Sequence, residues 1–236
     1  MYFTDIHTHS CVPAPKGSII IQNFTQQDFE GEFLSQKMRE FEQNIHDIQQ
    51  RVKWVTLGLH PWFLTDENVE KDFQKLTQLV DNQRVIAVGE CGLDRLRGEN
   101  LLFQMRVLED HIRLAERVSK PVIIHCVKAF NELIAVQKKM KPTVPLIVHG
   151  FNKNSNILSE LLQNGFYISV GASILRGSHF HKTLREIPLN RLFFETDDAL
   201  VPISDVYEAA AQILEIEISD LKSTIYTNFK TVFNKF

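Results

Sequence analysis

The sequence predicts an α/β fold, a TIM-like (β/α)8 barrel, and three observations carry that expectation. Eight short runs rich in apolar and β-branched residues recur along the 236 residues, and most are separated by stretches with helical periodicity. Five of these runs end in residues of metal-ligand type: Asp5-Ile6-His7 with His9 beyond, Val88-Gly89-Glu90, Ile123-Ile124-His125, Ile147-Val148-His149 and Phe194-Glu195-Thr196-Asp197. Residues so far apart in sequence meet when each sits at the C-terminal end of a parallel strand, the face on which such barrels keep their sites. With 44% apolar residues the chain can bury a sizeable core, so residues 1–236 are taken as one domain.

The elements are read in chain order. Residues 1–7 form a first strand, and Pro13, Pro15 and Gly17 mark the loop behind it. A second strand over 18–24 comes too soon for a crossover helix, so the first βα unit is expected to be short or degenerate. Phe33, Leu34, Met38, Phe41, Ile45 and Ile48 have the spacing of an amphipathic helix over about 33–52. A third strand over 53–58 leads into Leu59-His60-Pro61-Trp62. The stripe Val69, Phe73, Leu76 and Val80 predicts a helix over 66–81 with an acidic first turn. Strand four covers 84–90. A longer helix over 101–118 places Leu102, Met105, Leu108, Ile112 and Ala115 on one face. Strand five runs from Pro121 to His125, a helix covers 130–140, and Pro142 and Pro145 stop it before strand six at 146–149. A helix over 154–163 ends near Gly165, strand seven covers 166–170, strand eight 191–196, and helices over 203–216 and 219–234 complete the pattern.

Composition narrows the functional classes. A net charge of -3 argues against coating nucleic acid through bulk electrostatics, so any chemistry on a phosphate backbone has to come from bound metal. Cys11, Cys91 and Cys126 form no CxxC pair, which fits small buried hydrophobes in a reducing, cytoplasmic setting. No run approaches a membrane span, and nothing points to a protein partner.

The chemistry rests on the strand ends. Side chains two apart on a strand point the same way, so His7 and His9 can hold one ion together. Glu90, His125, His149 and Asp197 at four further ends turn a weak motif into a metal site. Four histidines and two carboxylates exceed one tetrahedral ion, which favours a two-metal centre with Glu90 as the bridging candidate. Asp197 can bind an ion through one oxygen and take the proton of the attacking water with the other. Imidazole and carboxylate donors suit zinc, manganese or magnesium.

On these motifs the chain resembles the TatD-type metal-dependent deoxyribonucleases of the amidohydrolase superfamily. Asp5-Ile6-His7-Thr8-His9, Gly58-Leu59-His60-Pro61, Gly89-Glu90-Cys91-Gly92-Leu93-Asp94, His125, His149-Gly150-Phe151 and Glu195-Thr196-Asp197 match that family in order. The resemblance implies one or two divalent ions, magnesium, manganese or zinc, and hydrolysis of phosphodiester bonds in DNA, often exonucleolytic. It implies His7, His9, Glu90 and Asp197 around one ion, and Glu90, His125 and His149 around the other. His60 is then a substrate-contacting residue and Glu195 a support for a ligand or for the nucleophilic water. Asp94 is expected to order the loop after Glu90, and Trp62 can stack on a base.

Three departures surround the ligands: Ser10-Cys11 after His9, Lys128 in place of a nearby arginine after His125, and Asp198-Ala199 after Asp197. They bear on the substrate-facing shell, so hydrolysis of an amide, lactone or aminoacyl ester on the same centre is the alternative chemistry. A PHP-type phosphoesterase lacks the Gly-Glu-x-Gly-Leu-Asp run, and a metal-bearing binding scaffold has no need of a base. Arg176, His179, His181, Lys182 and Arg185 form a cationic loop where barrels frequently bind phosphate, or a solvated one. His179 and His181 lie outside any strand-like run, which disfavours a second metal site. His46 and His111 lie in helix-like stretches and need no functional role.

Overall fold

Strand order in the sheet matches chain order. In the computed structural model, which describes residues 2–9, 14–29 and 52–233, one sheet runs β1 (Thr4–Thr8), β2 (Ile19–Phe24), β3 (Val52–Leu57), β4 (Val85–Asp94), β5 (Val122–Val127), β6 (Leu146–Val148), β7 (Tyr167–Val170) and β8 (Leu192–Phe194). The helices are α1 (Val69–Leu79), α2 (Leu101–Val118), α3 (Phe130–Met140), α4 (Ser155–Gln163), α5 (His181–Arg185), α6 (Ile203–Leu214) and α7 (Ile218–Phe233). This is the TIM-like (β/α)8 barrel expected from the sequence. No helix is present between β1 and β2 among the described residues, in line with a degenerate first unit. The expected helix over 33–52 and Cys11 fall outside the described residues. None of the described helices is long and apolar enough to cross a membrane.

The described residues pack as two compact units, one of 2–9, 14–22, 52–53 and 148–233, the other of 23–29 and 54–147. In the first, β1 pairs in parallel with β2 through Thr4↔Ile19 and Asp5↔Ile20, and β7 pairs with β8 through Ser169↔Phe193. Every residue of β1 is buried although four of its five are polar, so polarity there does not mark the outside. Ile6 enters the core, while Asp5 and His7 face the site. The segment after β8 closes onto β1: Asp197 N–H donates to the His7 carbonyl at 2.9 Å, and His9 N–H donates to the Asp197 carbonyl at 3.1 Å. Two helices brace this closure. Buried Tyr207 of α6 hydrogen-bonds the backbone N–H and C=O of Thr4, both at 3.1 Å. Asn228 of α7 donates to the carbonyls of Leu189 at 2.7 Å and Leu192 at 2.9 Å.

The second unit is built on β4, ten residues that are all buried. The strand does not stop at Glu90 as predicted but continues to Asp94. Gly89 and Gly92 look like terminators in sequence, yet Gly92 has φ +146, and a Cβ there would lie 2.0 Å from the His125 carbonyl oxygen. Its lack of a side chain allows backbone-to-backbone pairing with β5 in register, Gly92↔His125 and Asp94↔Val127. At the other end of the chain β8 is shorter than predicted, ending at Phe194, so Glu195, Thr196 and Asp197 lie beyond it.

Helix α2 has the predicted bounds, and Leu108, Ile112 and Ala115 of its predicted face are buried, but the covered face is broader and shifted away from Leu102. Leu102 is 77% exposed, and the covered stripe is Phe103, Gln104, Val107, Leu108, His111 and Ile112. Three polar residues, Gln104, Glu109 and His111, are among the buried ones, so an apolar count alone sets the phase imperfectly. His111 is fully buried; its Nδ1 lies 2.7 Å from the Val107 carbonyl, and its Nε2 accepts from Leu59 N–H at 3.0 Å. The proton therefore sits on Nδ1, and the neutral ring pins the backbone next to His60.

Burial lowers the His111 pKa to about 4, against an ordinary 6.5, outweighing the Val107 hydrogen bond and the nearby Asp110 charge. The unfolded chain thus binds the extra proton more readily. Stability from His111 is complete above about pH 6.5 and is lost as pH falls toward 4, a span worth on the order of 3 kcal/mol. Denaturant titrations of wild type and His111→Gln across that range should converge at low pH. Parallel curves would show that His111 does not titrate on unfolding.

Candidate metal-binding clusters

In the first unit, His7, His9, His149, Glu195 and Asp197 gather around two donor groups. His7 Nε2 and His9 Nε2 each lie 3.7 Å from Asp197 Oδ1. That is long for a hydrogen bond but suits ligands sharing an ion, since two atoms each about 2.1 Å from a tetrahedral metal stand roughly 3.4 Å apart. These donors are not equally accessible: His7 is buried, while the side chains of His9 and Asp197 are 30% and 39% exposed. An ion held here would face solvent. His149 packs against His7 with ring centroids 4.2 Å apart, and with Glu195 and Asp197 it offers a second donor trio.

Asp197 reaches its place through an uncommon backbone. Its φ is +53, and the strain of that left-handed conformation is held by the two backbone bonds to His7 and His9. Beneath it, Asp5 accepts hydrogen bonds from Thr196 N–H at 3.1 Å and the Thr196 hydroxyl at 2.7 Å, and from His7 N–H at 3.3 Å. Burial pushes the Asp5 carboxyl up to about 7; the Thr196 bonds oppose that rise and the Glu195 charge adds to it.

Glu195 is fully buried and remains ionised. Burial opposes its charge, but His149, the positive potential of His7 and the Ser169 hydroxyl together hold its pKa below the ordinary value. Its Oε1 accepts from Gly150 N–H at 2.6 Å and lies 3.4 Å from His149 Nδ1; its Oε2 accepts from Ser169 at 2.5 Å. The carboxylate therefore lies between the Gly150 backbone and a ligand-type histidine.

In the second unit Glu90 is the centre. Its Oε1 lies 3.1 Å from His60 Nε2 and 3.0 Å from His125 Nδ1, while its Oε2 accepts from Asn23 Nδ2 at 3.3 Å. Asn23 is not among the residues the sequence singles out. Its amide oxygen accepts from the Thr56 hydroxyl at 2.7 Å and Glu90 N–H at 2.8 Å, which orients the NH2 toward the carboxylate. A polar residue in the apolar run over 18–24 is the signal that could have found it.

His60 belongs to the same group of donors, but its ring is committed. Its Nδ1 accepts from Trp62 N–H at 3.2 Å, so a neutral ring carries its proton on Nε2 and donates to Glu90. It orients Glu90 rather than offering a lone pair to a metal. Gln26 secures it further, accepting from His60 N–H at 2.7 Å and donating to its carbonyl at 3.0 Å.

His125 is flanked on both nitrogens, with Nδ1 on Glu90 and Nε2 3.1 Å from Asp94 Oδ2. The same Asp94 oxygen accepts from Trp62 Nε1 at 2.6 Å, and Oδ1 accepts from Leu96 N–H at 2.8 Å. Burial disfavours the charge on Asp94, but these bonds win and keep its pKa below the ordinary value. Asp94 does order its loop, as expected, and also holds a ligand-type histidine. Burial, reinforced by Glu90, pushes the Cys91 thiol upward and leaves it protonated.

The cationic segment 175–186 is two tight turns leading into α5. Arg185 is tied to the Ile213 carbonyl at 2.8 Å and lies 3.8 Å from Glu215, while Lys182 and His179 are exposed.

Known proteins resemble this chain in sequence and fold. The profile of the TatD related DNases matches residues 4–234. A metal-dependent hydrolase of Buchnera aphidicola is 30% identical over 221 residues, covering 81% of this chain and 83% of that protein. The 3'-5' ssDNA/RNA exonuclease TatD of Edwardsiella piscicida is 34% identical over 149 residues, 61% of this chain and 57% of that one. The crystal structure of the TatD homologue YjjV from Escherichia coli superposes with a TM-score of 0.78 at 24% identity, over 99% of this chain and 98% of the other. Since the profile spans nearly all of a chain whose metal-type donors lie in the order its motifs require, this protein belongs to the TatD related DNase family of metal-dependent hydrolases.

Proposed function

We propose that the protein is a divalent-metal-dependent nuclease that hydrolyses phosphodiester bonds of DNA, with magnesium, manganese or zinc as its ion. The observation that carries this reading is the spacing of His7 and His9 from one half-exposed carboxylate, Asp197, at 3.7 Å each. The name of the Edwardsiella relative, an exonuclease on single-stranded DNA and RNA, supports nucleic acid as the substrate class.

In this reading His7, His9, His149 and Asp197 of the first unit, and Glu90 and His125 of the second, would be the metal ligands. When bound, the ions polarise the phosphoryl oxygens and lower the pKa of water. The protein's own groups do the rest. Asp197 presents an exposed oxygen that takes a proton from the attacking water while the water oxygen bonds to phosphorus; the ester P–O bond breaks and the leaving oxygen takes a proton from solvent. Glu195 lies beside Nδ1 of His149 and would leave that ring's Nε2 to an ion, while His125, with Asp94 at Nε2, would give an ion the Nδ1 that now lies 3.0 Å from Glu90. His60 and Asn23 donate to Glu90 and keep its charge in place before any ion arrives.

Replacing Asp197 with Asn removes the base and one ligand charge together. Turnover of a single-stranded DNA oligonucleotide should fall by about 10²–10⁴-fold with the melting temperature little changed. Near-normal turnover in that variant excludes this base. Asp94→Asn leaves every proposed ligand intact but weakens the hold on His125. Calorimetric titration with Mn2+ or Zn2+ should show about 10–100-fold weaker binding at one class of site. Unchanged affinity at every site would reduce Asp94 to loop support.

A further inference from the structure

Trp62 is 38% exposed, yet it is held more firmly than an exposed ring needs to be. An indole N–H at the surface is satisfied by water; here it donates to the buried carboxylate of Asp94 at 2.6 Å. The ring stands 4.8 Å from His60 and 5.7 Å from His125, centroid to centroid, so it borders the Glu90 cluster. The Arg97 guanidinium lies over it, 4.3 Å from the ring centroid.

The loop that carries Arg97 is equally fixed. Residues 95–100 are all exposed, but one buried side chain, Gln104, donates to the carbonyls of Asp94, Arg97 and Glu99 at 3.0, 3.0 and 2.7 Å. Gly98, at φ +80, lets this loop press onto the turn before Trp62; a Cβ there would lie 2.2 Å from the Pro61 carbonyl oxygen. A six-residue surface loop is thereby ordered from beneath, and what it displays is a planar cation on an aromatic face.

We infer that Trp62 and Arg97 form a stacking platform for one nucleobase of a single-stranded DNA substrate, next to the Glu90 cluster. The base takes the place over the indole that the guanidinium now holds, and the displaced guanidinium turns its planar fork to the adjoining phosphate. This inference rests on the reading of DNA as substrate and adds which residues grip it. Because stacking accepts any π-face, the platform selects single strands and not sequence.

The test is binding of a phosphorothioate-linked, fluorescein-labelled DNA oligonucleotide to the full chain by anisotropy, with each base replaced in turn by an abasic residue. For the wild type, one abasic position should cost about tenfold in affinity. In Trp62→Leu that loss should already be present and the abasic penalty at that position should vanish, whereas Trp62→Phe, which keeps a ring face, should retain most of it. Arg97→Gln should weaken binding and lower the salt dependence by about one charge. An equal abasic penalty in wild type and Trp62→Leu, no position with a penalty, or no binding by the wild type overturns the platform. Should Trp62→Leu not fold, the same comparison made with Arg97→Gln and Trp62→Phe decides. Cleavage of the ordinary phosphodiester strand with Mn2+ is scored separately. Cleavage without coupling leaves the nuclease reading intact and refutes the platform; coupling without cleavage does the reverse.

Discussion

The hydrogen bonds between Asp5 and Thr196 are the constraint on which the first cluster depends. They join the first strand to the segment after the last across 191 residues of sequence, and they do so inside the protein, where both partners are almost wholly buried. A carboxylate in such a place is costly unless its oxygens are filled, and here both accept. The Thr196 hydroxyl also lies 2.9 Å from that of Thr8, so the β1 end and the β8 extension are linked through side chains as well as backbone. Only with Thr196 so fixed can the next residue hold a left-handed conformation and aim its carboxylate at two histidines.

The same logic explains why the candidate ligands can be named from the sequence while their supports cannot. His7 and His9 are legible because strand alternation is a local property: two positions apart means one face. Glu90, His125, His149 and Asp197 are legible because each ends or closely succeeds an apolar run. Asn23, Gln26 and Gln104 are ordinary polar residues until strand register brings them to partners 67, 34 and 10 positions away. No periodicity encodes that meeting. Asp5 comes closest to being readable, since it shares the face of His7 and His9 by parity, but nothing in its own surroundings announces Thr196.

Where the elements differ from their expected bounds or faces, the causes are related. Strand four reads as shorter than it is because two glycines within four residues resemble a turn, when their purpose is to let β4 lie against β5 without side chains between them. The face of α2 is misplaced by apolar periodicity because Gln104 and His111 count as outward. Both are inward because each bonds backbone groups: Gln104 reaches the carbonyls of Asp94, Arg97 and Glu99, and His111 takes the Leu59 N–H. A buried polar residue of this kind inverts the usual rule that polarity marks the outside.

For the chemistry, the consequence is a division of labour between the nitrogens of one ring. A histidine ligates a metal with a lone pair on one nitrogen, and the tautomer that supplies it is set by whatever grips the other. Glu195 lies 3.4 Å from Nδ1 of His149, and His125 stands between Asp94 at Nε2 and Glu90 at Nδ1; Glu195 and Asp94 are in turn anchored by a backbone N–H, that of Gly150 or of Leu96. His60 obeys the same rule with the opposite result, because a backbone N–H occupies its Nδ1 and leaves a proton, not a lone pair, toward Glu90. Three histidines among similar carboxylates are thus assigned different tasks by the group behind them. A backbone amide cannot drift as a side chain can, so Glu195 and Asp94 keep their places beside these rings.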